Sequence, residues 1–344
     1  MIGVFIMDLK KPTLHLPASK KGIREEKIEY KKGQVLVDKN SFGKERPWQK
    51  LKIENLRYSE YLEILKIKKA FNVRSCAEEL DFQVDENGQK KLYRVWFCKS
   101  RLCPMCNWRR AVKSSKQLEL ILAEATKREP QARFLFLTLT TKNTFGKENL
   151  KAELSKMGRA VAKLMQYKKI SKSLLGYVRS TEITVSRDGS YHQHMHVLLM
   201  VTPKFFKEKD RYIKQKEWIV LWKKAMKLDY DPSVHIEAVR DKKGKGSLKS
   251  AALETAKYQT KSSDYMTKND AKNLQVIDDL EYALRGTRQI SFAGLLKEVR
   301  KDLCLDDVEK GDLIHADGKN SEESSVIKVA IAKFDFFRKN YFWT

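Results

Sequence analysis

Three of the six histidines in this chain of 344 residues fall at alternate positions of one run, Tyr191-His192-Gln193-His194-Met195-His196-Val197-Leu198-Leu199-Met200. In a β-strand alternate side chains share a face, so His192, His194 and His196 project together, and Met195, Val197 and Leu199 turn to the other side. Imidazole ligates divalent metal well, and two imidazoles on one strand beside a carboxylate make a three-ligand site with open positions. The stretch from Gly176 to Ser186 is rich in β-branched residues, reads as a second strand and carries Glu182. Between the two lies a turn signal, Arg187-Asp188-Gly189. A type I turn closed by Gly189 in the left-handed conformation sets Ser186 opposite Ser190 and Glu182 opposite His194. A two-residue Asp-Gly turn slips the register by one and brings Ile183 there instead. The bland alternative is a strand whose histidines face solvent or are satisfied in the core, with Glu182 an exposed strand acid.

A second chemical group is made of thiols. Cys103-Pro104-Met105-Cys106 is a C-x-x-C knuckle, whose short span lets two thiolates reach one ion. Cys98 and Cys76 can complete a tetrahedral zinc site with a hairpin between them, and such a site gives folding energy to a module with little core. Free thiols or a redox pair are the alternative. Cys304 stands apart and fills space. Arg94, Lys99, Arg101, Arg109 and Arg110 surround the knuckle in sequence, so the module is also a candidate DNA contact.

A third group lies further on. Ser250 to Lys261 holds good helix formers, and Glu254 and Tyr258, four apart, share a helix face that Lys261 continues. A phenol is a poor nucleophile at neutral pH, but a metal-polarised phosphate and a nearby cation make it competent. Taken alone, this is an ordinary surface helix. A basic loop, Lys242-Lys243-Gly244-Lys245-Gly246, precedes it.

The elements that must position these groups follow from periodicity and composition. Hydrophobic residues make up 42% of the chain, enough for a core in one or two domains. Lys and Arg number 70 against 44 Asp and Glu, a net charge of +26 that points to nucleic acid; no long apolar stretch offers a membrane span. The run Ile2 to Met7 is too short for a signal peptide, so a cytoplasmic protein with reduced thiols is expected. Residues 1–45 read as a basic flexible arm, and 46–128 as a helical and cysteine-rich zinc-binding module. Residues 129–265 read as the domain that carries the histidine strand and the Glu254–Lys261 segment, and 266–344 as a mostly helical C-terminal region broken at Gly286. Within 129–265 a strand from Arg133, a helix from Asn149 to Tyr167, the two strands above, a helix from Arg211 to Leu228 and a strand from Val234 follow in order. Trp218 and Trp222 of that second helix read as core. The order β-α-β-β-α-β is that of a ferredoxin-like α+β sheet. The Phe-rich stretch from Val326 to Trp343 carries no assigned role.

Phe136-Leu-Thr-Leu-Thr140, then Glu182, then His194-Met195-His196, then Glu254 and Tyr258-Gln-Thr-Lys261, taken in that order, resemble the HUH endonucleases. In particular they resemble the single-tyrosine rolling-circle plasmid replication initiators. Arg101-Leu-Cys-Pro-Met-Cys106 and the stretch from Gly286 to Gly294 are similar to that family too, so the resemblance covers about residues 46–300. It implies that His194, His196 and Glu182 hold Mg²⁺ or Mn²⁺, with His192 an additional histidine beside the ligands. It implies that Tyr258 attacks a scissile phosphate of single-stranded or hairpin origin DNA, leaving a 5′-phosphotyrosine and a 3′-OH primer. Glu254 would activate water to end the cycle, and Lys261 would steady charge or the phenol. Arg101, Arg109, Arg110, Lys243 and Lys245 are the expected DNA contacts, and Cys76, Cys98, Cys103 and Cys106 the structural zinc ligands. A host helicase and polymerase would be partners, and a homodimer is compatible with the family. A relaxase or single-tyrosine transposase shares the nick, and a non-catalytic zinc-ribbon regulator shares the charge.

Overall fold

A computed structural model describes residues 24–40, 43–239, 248–256, 261–315 and 326–344. The chain runs through β1 (Arg24–Lys27), α1 (Trp48–Ile64), α2 (Ala70–Arg74), β2 (Glu79–Val84), β3 (Lys90–Val95) and α3 (Pro104–Arg128). Next come β4 (Arg133–Thr140), α4 (Lys147–Gln166), α5 (Lys168–Ser171), β5 (Leu174–Val185), β6 (Tyr191–Val201), α6 (Lys204–Lys207), α7 (Gln215–Met226) and β7 (Val234–Ala238). The last part holds α8 (Leu248–Thr255), α9 (Ser262–Tyr265), α10 (Asp270–Ala283), β8 (Ile290–Gly294), α11 (Leu295–Asp302), β9 (Val326–Asp335) and β10 (Asn340–Trp343). The protein is α+β, as expected. It divides into two compact units, one comprising the N-terminal residues to Gln49 with Ser75–Phe97 and Asn320–Thr344, the other Lys50–Arg74 with Cys98–Lys319.

The smaller unit is a sheet in the order β1-β9-β2-β3, with β10 also paired to β9. Its core is aromatic: Trp48, Phe82 and Trp343 meet edge to face, and the buried Trp48 indole donates to Asp38 at 2.7 Å. Two expectations change here. Part of the presumed flexible arm is structured, since Arg24–Lys27 pair in parallel with β9 and Val35 bridges Phe342. The C-terminal region is not mostly helical, because Val326–Asp335 and Asn340–Trp343 are strands. β9 alternates apolar and polar residues only in part, and its main partner, β2, lies some two hundred and fifty positions earlier, where no local signal reaches it. The cysteine-rich segment at 46–128 is likewise shared between the two units and is not a contiguous module.

The larger unit is built on a sheet in the order β7-β4-β6-β5-β8, and every neighbouring pair is antiparallel. α4 repeats Leu150, Leu154, Met157, Val161 and Leu164 at helical spacing, so one stripe is buried. With Trp218 and Trp222 of α7 it packs on Leu135, Leu137, Met195, Val197 and Leu199. The opposite face, bearing Phe136, Leu198 and Met200, is covered by α3, α8 and α11 through Leu118, Ile121, Ala251, Leu296 and Val299. The histidines share this second face with Leu198 and Met200, so the face is apolar at one end and polar at the other. A sheet covered on both sides explains the unbroken apolar run from Val197 to Val201.

β8 was expected as part of a helical stretch, and it is instead the edge strand beside β5. Gly294 faces Gly176 there with φ of +57°, and a Cβ on Gly294 would sit 2.4 Å from the Leu175 carbonyl oxygen. Only glycine tolerates both the backbone angle and the approach.

Candidate functional site

The β5–β6 hairpin sets the register of the site. Ser186 N–H donates to Ser190 O at 2.9 Å, Gly189 takes φ of +85°, and Asp188 Oδ1 accepts from Ser190 N–H at 2.9 Å. Glu182 therefore pairs with His194, and Ile183 with Gln193. The three-residue turn, not the two-residue one, is the one adopted.

Glu182 Oε2 lies 3.1 Å from His194 Nε2 and 2.9 Å from His196 Nε2. Burial alone would raise its pKa, yet hydrogen bonds from both imidazoles outweigh burial and hold the carboxyl far below the usual carboxylate range. His196 is fixed from two further sides: its ring stacks on Phe136 at 5.4 Å, and its Nδ1 is 3.3 Å from Thr138 Oγ1. His194 stands edge-on to His196, and its buried Nδ1 has no hydrogen-bond partner among the described residues. His192 is set apart, its ring 5.4 Å from that of His194 and its Nδ1 2.9 Å from Asn143 Oδ1. Burial, and then the neighbouring His194, lower its pKa.

Two side chains from elsewhere reach this centre. Glu254, on α8, brings Oε1 to 3.9 Å from His196 Nε2, and Lys261 brings Nζ to 3.7 Å from Glu182 Oε1. The single helix expected from Ser250 through Lys261 is not formed: α8 ends at Thr255, and Lys261 has extended backbone and precedes α9. Glu254 and Lys261 thus approach from different elements. Tyr258, Lys243 and Lys245 lie outside the described residues. The ligand atoms of Glu182, His194 and His196 all lie within 4.8 Å of one another, a nitrogen, nitrogen and oxygen set that suits a divalent ion such as Mn²⁺.

The thiols of the larger unit also cluster. Cys103 caps α3, with Pro104 in the first turn, so Cys106 follows one turn later on the same side. Cys98 and Cys106 sulfurs are 3.6 Å apart, Asn55 Nδ2 donates to Cys103 Sγ at 3.3 Å, and Ser100 N–H donates to Cys98 Sγ at 3.5 Å. Donors on sulfur favour thiolates, which suits metal ligation. Cys76 is buried in the smaller unit, and Cys304 is exposed.

A family model described as a replication protein matches residues 89–342. A relative named Protein rep from Lentilactobacillus hilgardii is 54% identical over 311 residues, covering 90% of this chain and 98% of that protein. Another Protein rep, from Lactiplantibacillus plantarum, is 54% identical over 315 residues, covering 90% and 99%. One from Streptococcus pneumoniae is 42% identical over 313 residues, covering 90% and 95%. The chain belongs to the replication-protein family. That is the family to which its resemblance to plasmid rolling-circle initiators pointed. No solved structure matches it.

In this replication protein two expected DNA contacts turn out to be internal. Arg109 is 1% exposed and donates to the carbonyls of Leu313 and Ile314 at 2.9 and 2.6 Å. Arg110 is buried too and donates to Ser100 O at 2.9 Å. Their basic neighbourhood in sequence suggested surface, but α3 turns that face inward. Arg101 is half-buried, held by Glu309 at 2.6 Å, and burial lowers its pKa. Two polar neighbours of Glu182, His194 and His196 had no role assigned from the sequence. Thr138 shares the histidine face and was hidden inside an apolar strand. Asp264 has a buried oxygen without a hydrogen-bond partner among the described residues, and burial raises its pKa. Among the described residues, no helix is long and apolar enough to cross a membrane.

Proposed function

We propose that this replication protein starts plasmid rolling-circle replication by nicking one strand of the double-strand origin, as a single-tyrosine HUH endonuclease and strand transferase. The observation that carries this reading is the meeting of Glu182, His194 and His196 with Glu254 and Lys261. The antiparallel order β7-β4-β6-β5 supports a ferredoxin-like nuclease core, because it is the order a split βαβ pair produces. Glu182, His194 and His196 would hold Mn²⁺ or Mg²⁺, and a bound ion supplies Lewis-acid polarisation of the scissile phosphate. Tyr258 Oη loses its proton as it attacks phosphorus, the bond to O3′ breaks, and O3′ takes up a proton, so the net transfer leaves a free 3′-OH primer. The phosphate stays on the tyrosine as a 5′-phosphotyrosine, with the Lys261 ammonium against the developing charge. Glu254 later takes a proton from water, whose oxygen displaces the tyrosine and releases a 5′-phosphate. His192 orients the neighbouring ligand strand through Asn143.

In this reading Cys98, Cys103 and Cys106 hold a structural zinc. Origin DNA is the partner, bound as a single strand or hairpin, with host helicase and polymerase acting after the nick in the cytoplasm. The test is a supercoiled origin plasmid incubated with and without Mn²⁺. A metal-dependent nick with protein covalently attached to the 5′ end supports the reading. A nick without covalent protein, or binding with no nick, would overturn it, the latter in favour of a regulator.

A further inference from the structure

β9 and β10 are joined by a tight turn within the run Lys333-Phe334-Asp335-Phe336-Phe337-Arg338-Lys339-Asn340. Phe334 is buried and meets Tyr341 and Phe336 edge to face. Phe337 is 95% exposed, more than any other large apolar side chain among the described residues. Leaving such a ring in water forgoes about 1.5–3 kcal/mol of burial, and the turn is braced to keep it there. Asp335 Oδ1 accepts the N–H groups of Phe337 and Arg338 at 2.9 and 2.8 Å, and Asp335 Oδ2 accepts Arg338 Nε at 2.7 Å. The Arg338 guanidinium lies 3.6 Å over the Phe342 ring, and Lys339 closes the turn with φ of +54°. These contacts fix the backbone of the turn that carries Phe337.

The surroundings of the ring indicate its partner. At the turn Arg338 and Lys339 stand against the single acid Asp335, and Arg338 keeps donors beyond the one facing Asp335, while Lys333 is paired with Glu79 at 2.7 Å. A protein groove would ask for a broader apolar patch, whereas a nucleobase offers a π-face flanked by phosphates. Aromatic wedges enter DNA where bases are already partly unstacked. We propose that this hairpin tip is a DNA-contacting wedge, with Phe337 stacked on a base at a duplex–single-strand boundary and Arg338 and Lys339 on the flanking phosphates. The inference rests on the origin-nicking reading and adds to it a DNA contact carried by the smaller unit.

The full-length protein is titrated into a labelled oligonucleotide with a duplex–single-strand junction, and into the same oligonucleotide carrying 2-aminopurine at the junction. Wild type should bind and quench 2-aminopurine. Phe337→Ala should bind about 5- to 150-fold more weakly without quenching, and Phe337→Trp should restore both. All three should melt at the same temperature, because the ring makes no folding contact. Unchanged affinity and quenching in Phe337→Ala overturn the wedge while leaving the nicking reading intact. Weaker binding with a lowered melting temperature overturns it by assigning a folding role. Intact DNA binding with loss of self-association overturns it in favour of a second copy of the chain. A wild type that binds neither oligonucleotide overturns both readings together.

Discussion

A carboxylate buried between two imidazoles persists only while donors or positive charge surround it, and Glu182 has both His194 and His196, with Lys261 nearby. The same logic makes Thr138 matter. Its hydroxyl is the polar group at His196 Nδ1, so Thr138→Val should loosen the ring and weaken Mn²⁺ binding about tenfold or more. Titration of Mn²⁺ followed by electron paramagnetic resonance measures this, and equal affinities would dismiss the role. Glu254 and Tyr258 separate in a second comparison. Tyr258→Phe should bind origin DNA yet form neither nick nor adduct. Glu254→Ala should nick and accumulate covalent protein–DNA complex, since only water activation is lost. Adduct lifetime on a single-stranded origin oligonucleotide reads the difference; if Glu254 merely pairs with a surface cation, the lifetimes will match.

At the scale of elements, one turn and one glycine pair set the geometry. The left-handed Gly189 determines which β5 residue faces His194, and a slip of one position would turn Glu182 to the face that α4 and α7 cover. On the other edge of β5, Gly294 lets β8 approach Gly176, with a backbone carbonyl where a side chain would go. Gly294→Ala should therefore destabilise the larger unit by roughly 2–4 kcal/mol, from the strained φ and the clash together. Denaturant unfolding measures the change, and a value within a few tenths of wild type would show that β8 moves aside freely.

For the whole molecule, the net charge of +26 should appear in DNA binding as steep salt dependence, with a log–log slope of several units. Not every cation contributes. Arg109 is buried on two backbone carbonyls, so Arg109→Ala should lower the melting temperature and leave the salt slope unchanged. Anisotropy titrations between low and moderate salt, run beside thermal melts, separate the two effects. A shallower slope with unaltered melting would return Arg109 to the DNA-facing surface.

What the sequence determined by itself was local. The period-two spacing of His192, His194 and His196, the turn chemistry of Asp188-Gly189 and the helical stripe of α4 all depend on residues within a few positions of one another. So do the Cys103–Cys106 spacing and the choice of Trp218 and Trp222 as core. Tertiary structure decided what depends on distant partners. It covered both faces of the sheet, turned Arg109 and Arg110 inward, and made strands of the C-terminal residues by pairing β9 with β2 and β10 with β9. It ended α8 before Lys261, yet brought Glu254 to His196 and Lys261 to Glu182. It put Thr138 behind His196 through the pairing of β4 with β6. Periodicity tells which face a residue takes, whereas strand pairing and burial tell what that face meets, and those energies belong to contacts between segments far apart in the chain.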